Sequence, residues 1–264
     1  MSLPSVEEIL LGKQIKQFLT QKKTTNTVHD LQYAARSLLS AQTVAGDYYD
    51  FIPVGHGSLG LLIADIFAKD LPSRLLAARL RAFLQLQEKS VLGDVRELTR
   101  KANEFLYHSS CADVFASFFF GRLDGCSGRL SYVNCAQVPP LVVRLDGSAQ
   151  KLSFTAPVIG ISEDWVAASN NVYLEAGDTL VMVTDGVTEA LDRVGQQFGY
   201  SRLLEVVRES LGKKPAAVAD AVVKAVNIFS GGVRRDDLTV VVARVKLEEQ
   251  FVQDSEMCAV AVGA

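Results

Sequence analysis

Apolar and polar positions change their period several times along the chain, and each change marks an element. Residues 5–22 set Val6, Ile9, Leu10, Ile15, Phe18 and Leu19 among Glu, Lys and Gln at roughly helical spacing. That predicts an amphipathic helix with one sticky face. From residue 31 the period shortens, and 31–38, 47–54 and 58–66 read as strands, the last two joined by Gly55-His56-Gly57 into a hairpin. A helix follows over 72–85, with Pro72 at a position that tolerates a missing N–H donor and Leu75, Leu76, Leu80, Phe83 and Leu84 on one face. A second is predicted over 94–107 through Val95, Leu98, Ala102, Phe105 and Leu106. Strands return at 114–123, 129–134, 141–144, 151–154, 171–174 and 178–185, helices at 202–211 and 215–229, and a closing strand at 238–245. Blocks of strands and helices, rather than their regular alternation, predict an α+β fold: two antiparallel sheets face to face with helices outside, a four-layer αββα sandwich. The chain divides into an N-terminal connector or dimerisation helix within 1–30, one domain over 31–247 and a tail over 248–264.

Composition narrows the function classes. The chain has 264 residues, 48% hydrophobic and 22% charged, with a formal net charge of −3. It therefore carries no general attraction to nucleic acid or to an anionic membrane. No run approaches the ~20 apolar residues that span a bilayer, and the start lacks a basic segment followed by an apolar one. A cytoplasmic protein is expected. Cys111, Cys126, Cys135 and Cys258 have no paired metal-ligand spacing and are expected as reduced thiols. His56, in its Gly-flanked turn, is expected to be exposed and structural.

Acidic residues at strand ends carry the chemistry. Leu180 to Val183 is a short apolar run with a Gly177-Asp178 turn before it and Thr184-Asp185-Gly186 after it, a buried strand delivering one carboxylate at its end. Asp65 closes Leu61-Leu62-Ile63-Ala64-Asp65 in the same way, Asp236 and Asp237 precede the closing strand, and Asp47 opens the hairpin. Hairpin register brings Asp47 and Asp65 to the same end. Any one Asp beside a Gly is an ordinary turn residue. Together they form a cluster that repels itself and is costly to desolvate without a shared cation. Oxygen-only donors select hard ions, Mg²⁺ or Mn²⁺.

These residues resemble the metal-dependent PPM (protein phosphatase 2C-like) serine/threonine phosphatases, and among them the bacterial branch of stage II sporulation protein E. The likeness covers about residues 31–246. It runs through Ala45-Gly46-Asp47-Tyr48-Tyr49-Asp50-Phe51, Ile63-Ala64-Asp65-Ile66-Phe67-Ala68-Lys69-Asp70-Leu71-Pro72, Tyr132-Val133-Asn134-Cys135-Ala136-Gln137-Val138-Pro139-Pro140-Leu141, Thr184-Asp185-Gly186-Val187-Thr188-Glu189-Ala190 and Asp236-Asp237-Leu238-Thr239. The resemblance implies two Mn²⁺ or Mg²⁺ ions held by Asp47, Asp65, Asp185 and Asp236 with the backbone carbonyl of Ile66. Asp237 is the less favoured of its adjacent pair. It also implies direct hydrolysis of a phosphoserine or phosphothreonine by a metal-activated water, on an anti-sigma-factor antagonist of the STAS type. An upstream sensor partner and self-association through the N-terminal helix are further implied.

The chain departs from the family pattern at several positions. Phe67-Ala68-Lys69-Asp70 stands where Ser-Gly-Lys-Gly is usual, Ala136-Gln137 where Gly-His is common, and Ala45 where a first Gly is usual. The first of these motivates an alternative, a pseudophosphatase that binds a phosphoprotein without turning it over. A dimetal phosphodiesterase acting on nucleotides shares the metal chemistry but lacks the His-rich ligand set such sites often use.

Overall fold

The computed structural model describes residues 23–28, 30–38, 40, 46–55, 57–67, 71–109 and 114–246. The expected helix over 5–22, the tail over 248–264, His56, Cys111, Cys258 and the 68–70 part of the altered loop lie outside them. Among the described residues eleven strands form two sheets. The first holds β1 (Lys23–Val28), β2 (Leu31–Leu38), β7 (Leu141–Val143), β8 (Ala149–Lys151), β10 (Thr179–Val183) and β11 (Leu238–Val245), in the order β1-β2-β11-β10-β7-β8. The second holds β3 (Asp47–Gly55), β4 (Ser58–Phe67), β5 (Phe115–Asp124), β6 (Arg129–Cys135) and β9 (Asn170–Tyr173), in that order. Every strand pair is antiparallel.

The period of two in the strands sorts their side chains into three cores. On β4, Leu59, Leu61 and Ile63 join the core between the sheets, whereas Leu62, Ala64 and Ile66 face outward. β11 divides likewise: Val241, Ala243 and Val245 point inward and Leu238, Val240 and Val242 outward. Both faces of these strands are therefore buried, which is why they read as continuous apolar runs. The outward face of the second sheet is covered by α1 (Leu71–Gln85), the short α2 (Lys89–Gly93) and α3 (Val95–Ser109), through Leu76, Leu80 and Leu84 of α1 and Leu98, Ala102 and Leu106 of α3. The outward face of the first is covered by α5 (Gly199–Arg208) and α6 (Pro215–Phe229) through Leu203, Val207, Val218, Val222 and Val226. Helix, sheet, sheet and helix make the four expected layers.

Local departures have local causes. The strand expected over 151–154 is displaced to β8, because Asp146 caps the turn by accepting the Ser148 amide and pairs Val143 with Ala149. The strand expected over 178–185 stops at Val183, and Asp185 instead opens a one-turn helix, α4 (Asp185–Thr188). β1 and α2 have too few periodic positions to read from the chain. Helix α5 lies three residues earlier than 202–211. Tight bonds from the Ser210 and Leu211 amides to Val207 and Arg208, with Gly212 at φ +79°, end it there.

Among the described residues Cys126 is exposed and Cys135 buried, both free thiols, and burial pushes the Cys135 thiol well up. No helix among the described residues is long and apolar enough to cross a membrane.

Candidate functional site

The β3–β4 hairpin pairs Asp47 directly with Asp65, and Asp65 in turn faces Ser117 on β5. A direct register pair is what the sequence pattern asked of these two carboxylates. Asp47 is 5% exposed and bridges the two sheets. Its Oδ2 accepts hydrogen bonds from Thr184 Oγ1 at 2.8 Å and Thr239 Oγ1 at 2.6 Å, the first directly after β10 and the second on β11 of the opposite sheet. Thr184 Oγ1 also accepts the Thr239 amide at 3.0 Å, and Thr239 Oγ1 lies 3.2 Å from the Ser37 hydroxyl. Thr184 occupies the N-cap of α4 but makes no side-chain cap, because its hydroxyl is committed to Asp47. These threonines and Ser37 had no role in the sequence reading, since a lone hydroxyl beside an Asp carries no spacing signal. Thr184→Val is expected to lower stability by about 1–3 kcal/mol, as it removes a donor from Asp47 and strands the Thr239 amide. Urea unfolding of the variant checks this.

Asp185 begins α4 and Gly186 follows it. A Cβ on Gly186 would stand 1.8 Å from the Asp237 carbonyl oxygen and 3.6 Å from the Asp236 Cβ, so α4 and the loop before β11 touch through bare backbone. Gly186→Ala should therefore force the two apart, costing about 1–3 kcal/mol, occasionally more. Thermal unfolding reads that loss, and an unchanged Tm would contradict the close approach. Gly46 is similar on the hairpin side: a Cβ there would stand 2.2 Å from Asp65 Oδ1 and 2.8 Å from the Ile66 carbonyl oxygen. The Ile66 amide donates to the Gly46 carbonyl at 3.1 Å, fixing the two strands across this point.

The adjacent pair before β11 divides its work. Asp237 is buried, and its Oδ1 accepts the Ser40 amide at 2.8 Å, tying this loop to the segment that follows β2. Asp236 is exposed and accepts the Asp237 amide at 2.7 Å. Burial raises the Asp65 pKa from 3.8 to about 8, reinforced by the negative charges of Asp47, Asp185, Asp236 and Asp237 in that order. Burial, Asp236 and Glu189 likewise raise Asp185. The carboxylates singled out in the sequence thus converge electrostatically on Asp65.

Among the described residues no three His, Cys, Asp or Glu side chains already form a group that could hold a metal ion. The fit to a cation rests instead on donor type and charge. Every candidate is an oxygen, and several carboxylates share one field.

From Asp65 and Asp185 a cleft of about 480 Å³ runs out between Phe67, Phe115, Phe154 and Tyr200. Phe67, 44% exposed, stacks on Phe115 with ring centroids 4.9 Å apart. Gln137 is buried beside it. Its Oε1 makes a close hydrogen bond with the Ser117 hydroxyl, its amide donates to Asn134 Oδ1, and its Nε2 lies 3.4 Å from the Val183 carbonyl. Gln137 thus joins the two sheets beside the site. Ala136 sits at φ +54°, a conformation in which an L side chain is strained, where the family pattern has Gly. Ala136→Gly is expected to raise stability by up to about 1 kcal/mol, read as a higher urea midpoint.

Known proteins resemble this chain in sequence and in fold. The family model described as Stage II sporulation protein E (SpoIIE) matches residues 55–246. Phosphoserine phosphatase RsbP of Bacillus subtilis is 27% identical over 192 residues, covering 71% of this chain and 46% of its own. The chain spans about a quarter to a half of the length of the curated relatives it matches. Among solved structures, the RsbU and RsbW domains of Rv1364c from Mycobacterium tuberculosis superpose with a TM-score of 0.73 at 21% identity, covering 85% of this chain and 62% of that one. The catalytic domain of the serine threonine protein phosphatase PstP, in complex with 2 manganese ions, superposes with a TM-score of 0.60 at 17% identity, over 82% and 99%. Those structural likenesses show the fold, and the family model, matching most of the chain, shows the kinship: this protein belongs to the SpoIIE family, within the PP2C-like phosphatases.

Proposed function

We propose that the chain is a metal-dependent protein serine/threonine phosphatase that hydrolyses a phosphoserine or phosphothreonine monoester on a partner protein. The observation that carries this reading is the convergence of Asp47, Asp185, Asp236 and Asp237 on the field of Asp65. Such a site is unfavourable by itself and becomes favourable with cations in it. Asp47, Asp65, Asp185 and Asp236, with the Ile66 carbonyl, would hold two Mn²⁺ or Mg²⁺ ions. Asp237, committed to the Ser40 amide, would act by positioning Asp236. The chemistry supplied by bound divalent cations is activation of a water at neutral pH and neutralisation of charge on the phosphoryl oxygens.

The chain's own groups do the rest. Thr184 and Thr239 donate to Asp47 Oδ2, fixing the carboxylate's rotamer. The apolar walls of the cleft at Phe67, Phe115 and Phe154 would hold the side chains flanking the phosphorylated residue and exclude water around them. The RsbP relative is named a phosphoserine phosphatase, which supports an ester of this class. We propose a STAS-type anti-sigma-factor antagonist as the substrate and an upstream sensor as the regulating partner.

The test is release of phosphate from a phosphoserine-bearing STAS-type protein by the purified chain, with Mn²⁺ titrated in and then removed by chelator. Turnover that appears with metal and disappears with chelator is the expected result. The second reading is a binding regulator without turnover, and the exposed Phe67, in place of the family's Ser, favours it. Restoring Ser-Gly-Lys-Gly over residues 67–70 separates the two. Activity gained only in the restored chain would establish the regulator.

A further inference from the structure

At the end of the second sheet away from the carboxylates, the row of side chains facing the helices changes character. Nearer the site that row is apolar, with Phe118 and Phe120 on β5 and Val133 and Cys135 on β6 in the helix-side core. Two residues further on, at the same parity, it becomes Arg122 on β5 and Ser131 on β6, which are register partners, and Ser131 pairs in turn with Asn171 on β9. Arg129 lies on the same face as Ser131 and donates its Nε–H to Asn171 Oδ1 at 3.1 Å. Above this row, the junction of α2 and α3 brings down Gly93, Asp94 and Arg96. Between them is a cleft of about 400 Å³, into which Arg96, Arg122 and Arg129 converge from a helix and two strands. Arg122 pairs with Gly60 on β4, five residues from Asp65, so this cleft lies roughly 17 Å along the strand from the carboxylates.

The two carboxylates in the cleft are already committed. Asp94 Oδ1 accepts the amides of Arg96 and Glu97 and caps α3. Asp124 Oδ1 accepts the amides of Cys126 and Ser127 and the Ser127 hydroxyl, bonds that hold its carboxyl below the usual range. The guanidinium of Arg122, by contrast, is poorly satisfied. Its Nη1 lies 3.4 Å from the Gly93 carbonyl, and its Nη2 lies 3.3 Å from Ser58 Oγ and 3.9 Å from Asp124 Oδ2. Its Nε is buried with no acceptor among the described residues. An unpartnered buried N–H is rare in a folded protein. Arginines in a fixed fork geometry, with an amide donor beside them, suit a tetrahedral dianion.

We propose that this cleft binds a phosphoryl oxyanion, as a second anion site separate from the carboxylate cluster. Arg122 and Arg129 supply the floor of the site, Arg96 its rim, and Asn171 Nδ2 a neutral donor, while the Ser131 hydroxyl donates to Asn171 Oδ1 at 2.6 Å and orients that amide. The same chemistry fits free inorganic phosphate and the phosphate of a phosphorylated side chain. The site stands whether or not the carboxylate cluster hydrolyses esters.

The experiment is calorimetric titration and thermal unfolding of the whole chain in chelator at low ionic strength, with inorganic phosphate and O-phosphoserine in parallel and chloride as the ionic-strength control. Chelator removes cations that would otherwise hold phosphate at the carboxylates. At a concentration about a hundredfold above Kd, phosphate is expected to raise Tm by roughly 5–10 °C. Arg122→Gln should weaken binding at least about tenfold, and Asp185→Asn should leave it unchanged. Should Arg122→Gln fail to fold, the exposed Arg96→Gln serves in its place and is expected to weaken binding in the same direction. Tighter binding of O-phosphoserine identifies a phosphorylated side chain as the source, and tighter binding of inorganic phosphate identifies the free ion. The proposal is overturned if neither compound shifts Tm beyond the chloride control, or if binding survives both arginine substitutions.

Discussion

Asp185→Asn is expected to reduce Mn²⁺-dependent hydrolysis of an aryl phosphate by more than the roughly 10–100-fold that an outer-shell partner of a metal ligand is worth. The substitution keeps the shape of the side chain at the start of α4 and removes one negative charge from the field shared with Asp65 and Asp236. The fold should survive it. Asp185 is neither in the apolar cores nor a bridge between the sheets, and the α4 turn is held by backbone bonds such as Glu189 N–H to the Asp185 carbonyl at 2.7 Å. Initial rates at saturating Mn²⁺, with circular dichroism as the control for folding, measure the effect. An Asn variant that keeps its rate at low Mn²⁺ would remove Asp185 from the metal site and the proposed mechanism with it.

In the metal-free protein, raising the pH should destabilise the fold, with the steepest change between about pH 4 and 8. The folded Asp65 carboxyl holds its proton up to about 8 against an ordinary value of 3.8. Between those two values the folded state binds more protons than the unfolded state, so the stability that this group contributes is complete below about pH 4. It is lost as pH rises through 8. Four units correspond to roughly 5 kcal/mol at 1.36 kcal/mol per unit, an upper figure because neighbouring carboxylates share the strain. Urea midpoints measured in chelator at about pH 5 and pH 8 should therefore fall markedly for the parent chain and much less for Asp65→Asn. Millimolar Mn²⁺ at the higher pH should restore the parent and leave the Asn variant nearly unmoved. A parent chain equally stable at both pH values in chelator would mean that Asp65 does not sit in the field described.

The layers were legible because burial on both faces of a strand leaves an unbroken apolar run, and Leu59 to Ala64 and Val240 to Ala243 are such runs. The pairing of Asp47 with Asp65 was legible for a related reason: a short Gly-rich turn fixes hairpin register, and register fixes which residues face one another. What could not be read depends on contacts between segments distant in the chain. Thr184 and Thr239 reach Asp47 across 137 and 192 residues, and although both stand in the motif blocks beside Asp185 and Asp236, nothing there pairs them with Asp47. The division of roles between Asp236 and Asp237 likewise depends on Ser40, 197 residues away from Asp237. The displaced strand at Ala149–Lys151 is a simpler miss, since three exposed residues carry no period to detect.

The clasp of Asp47 by Thr184 and Thr239 has a consequence for how the molecule can be divided. The second sheet is drawn from residues 47–173, whereas both threonines belong to the last third of the chain. Neither portion alone contains a finished carboxylate site, and the contacts that complete it are among the longest in sequence separation, which places their formation late in folding. A cut at the exposed Glu175-Ala176 pair between β9 and β10 would yield two fragments, each lacking half of the clasp. Mixing them should regenerate the site only as the inter-sheet core closes, so that cation binding would report reassembly of the split protein.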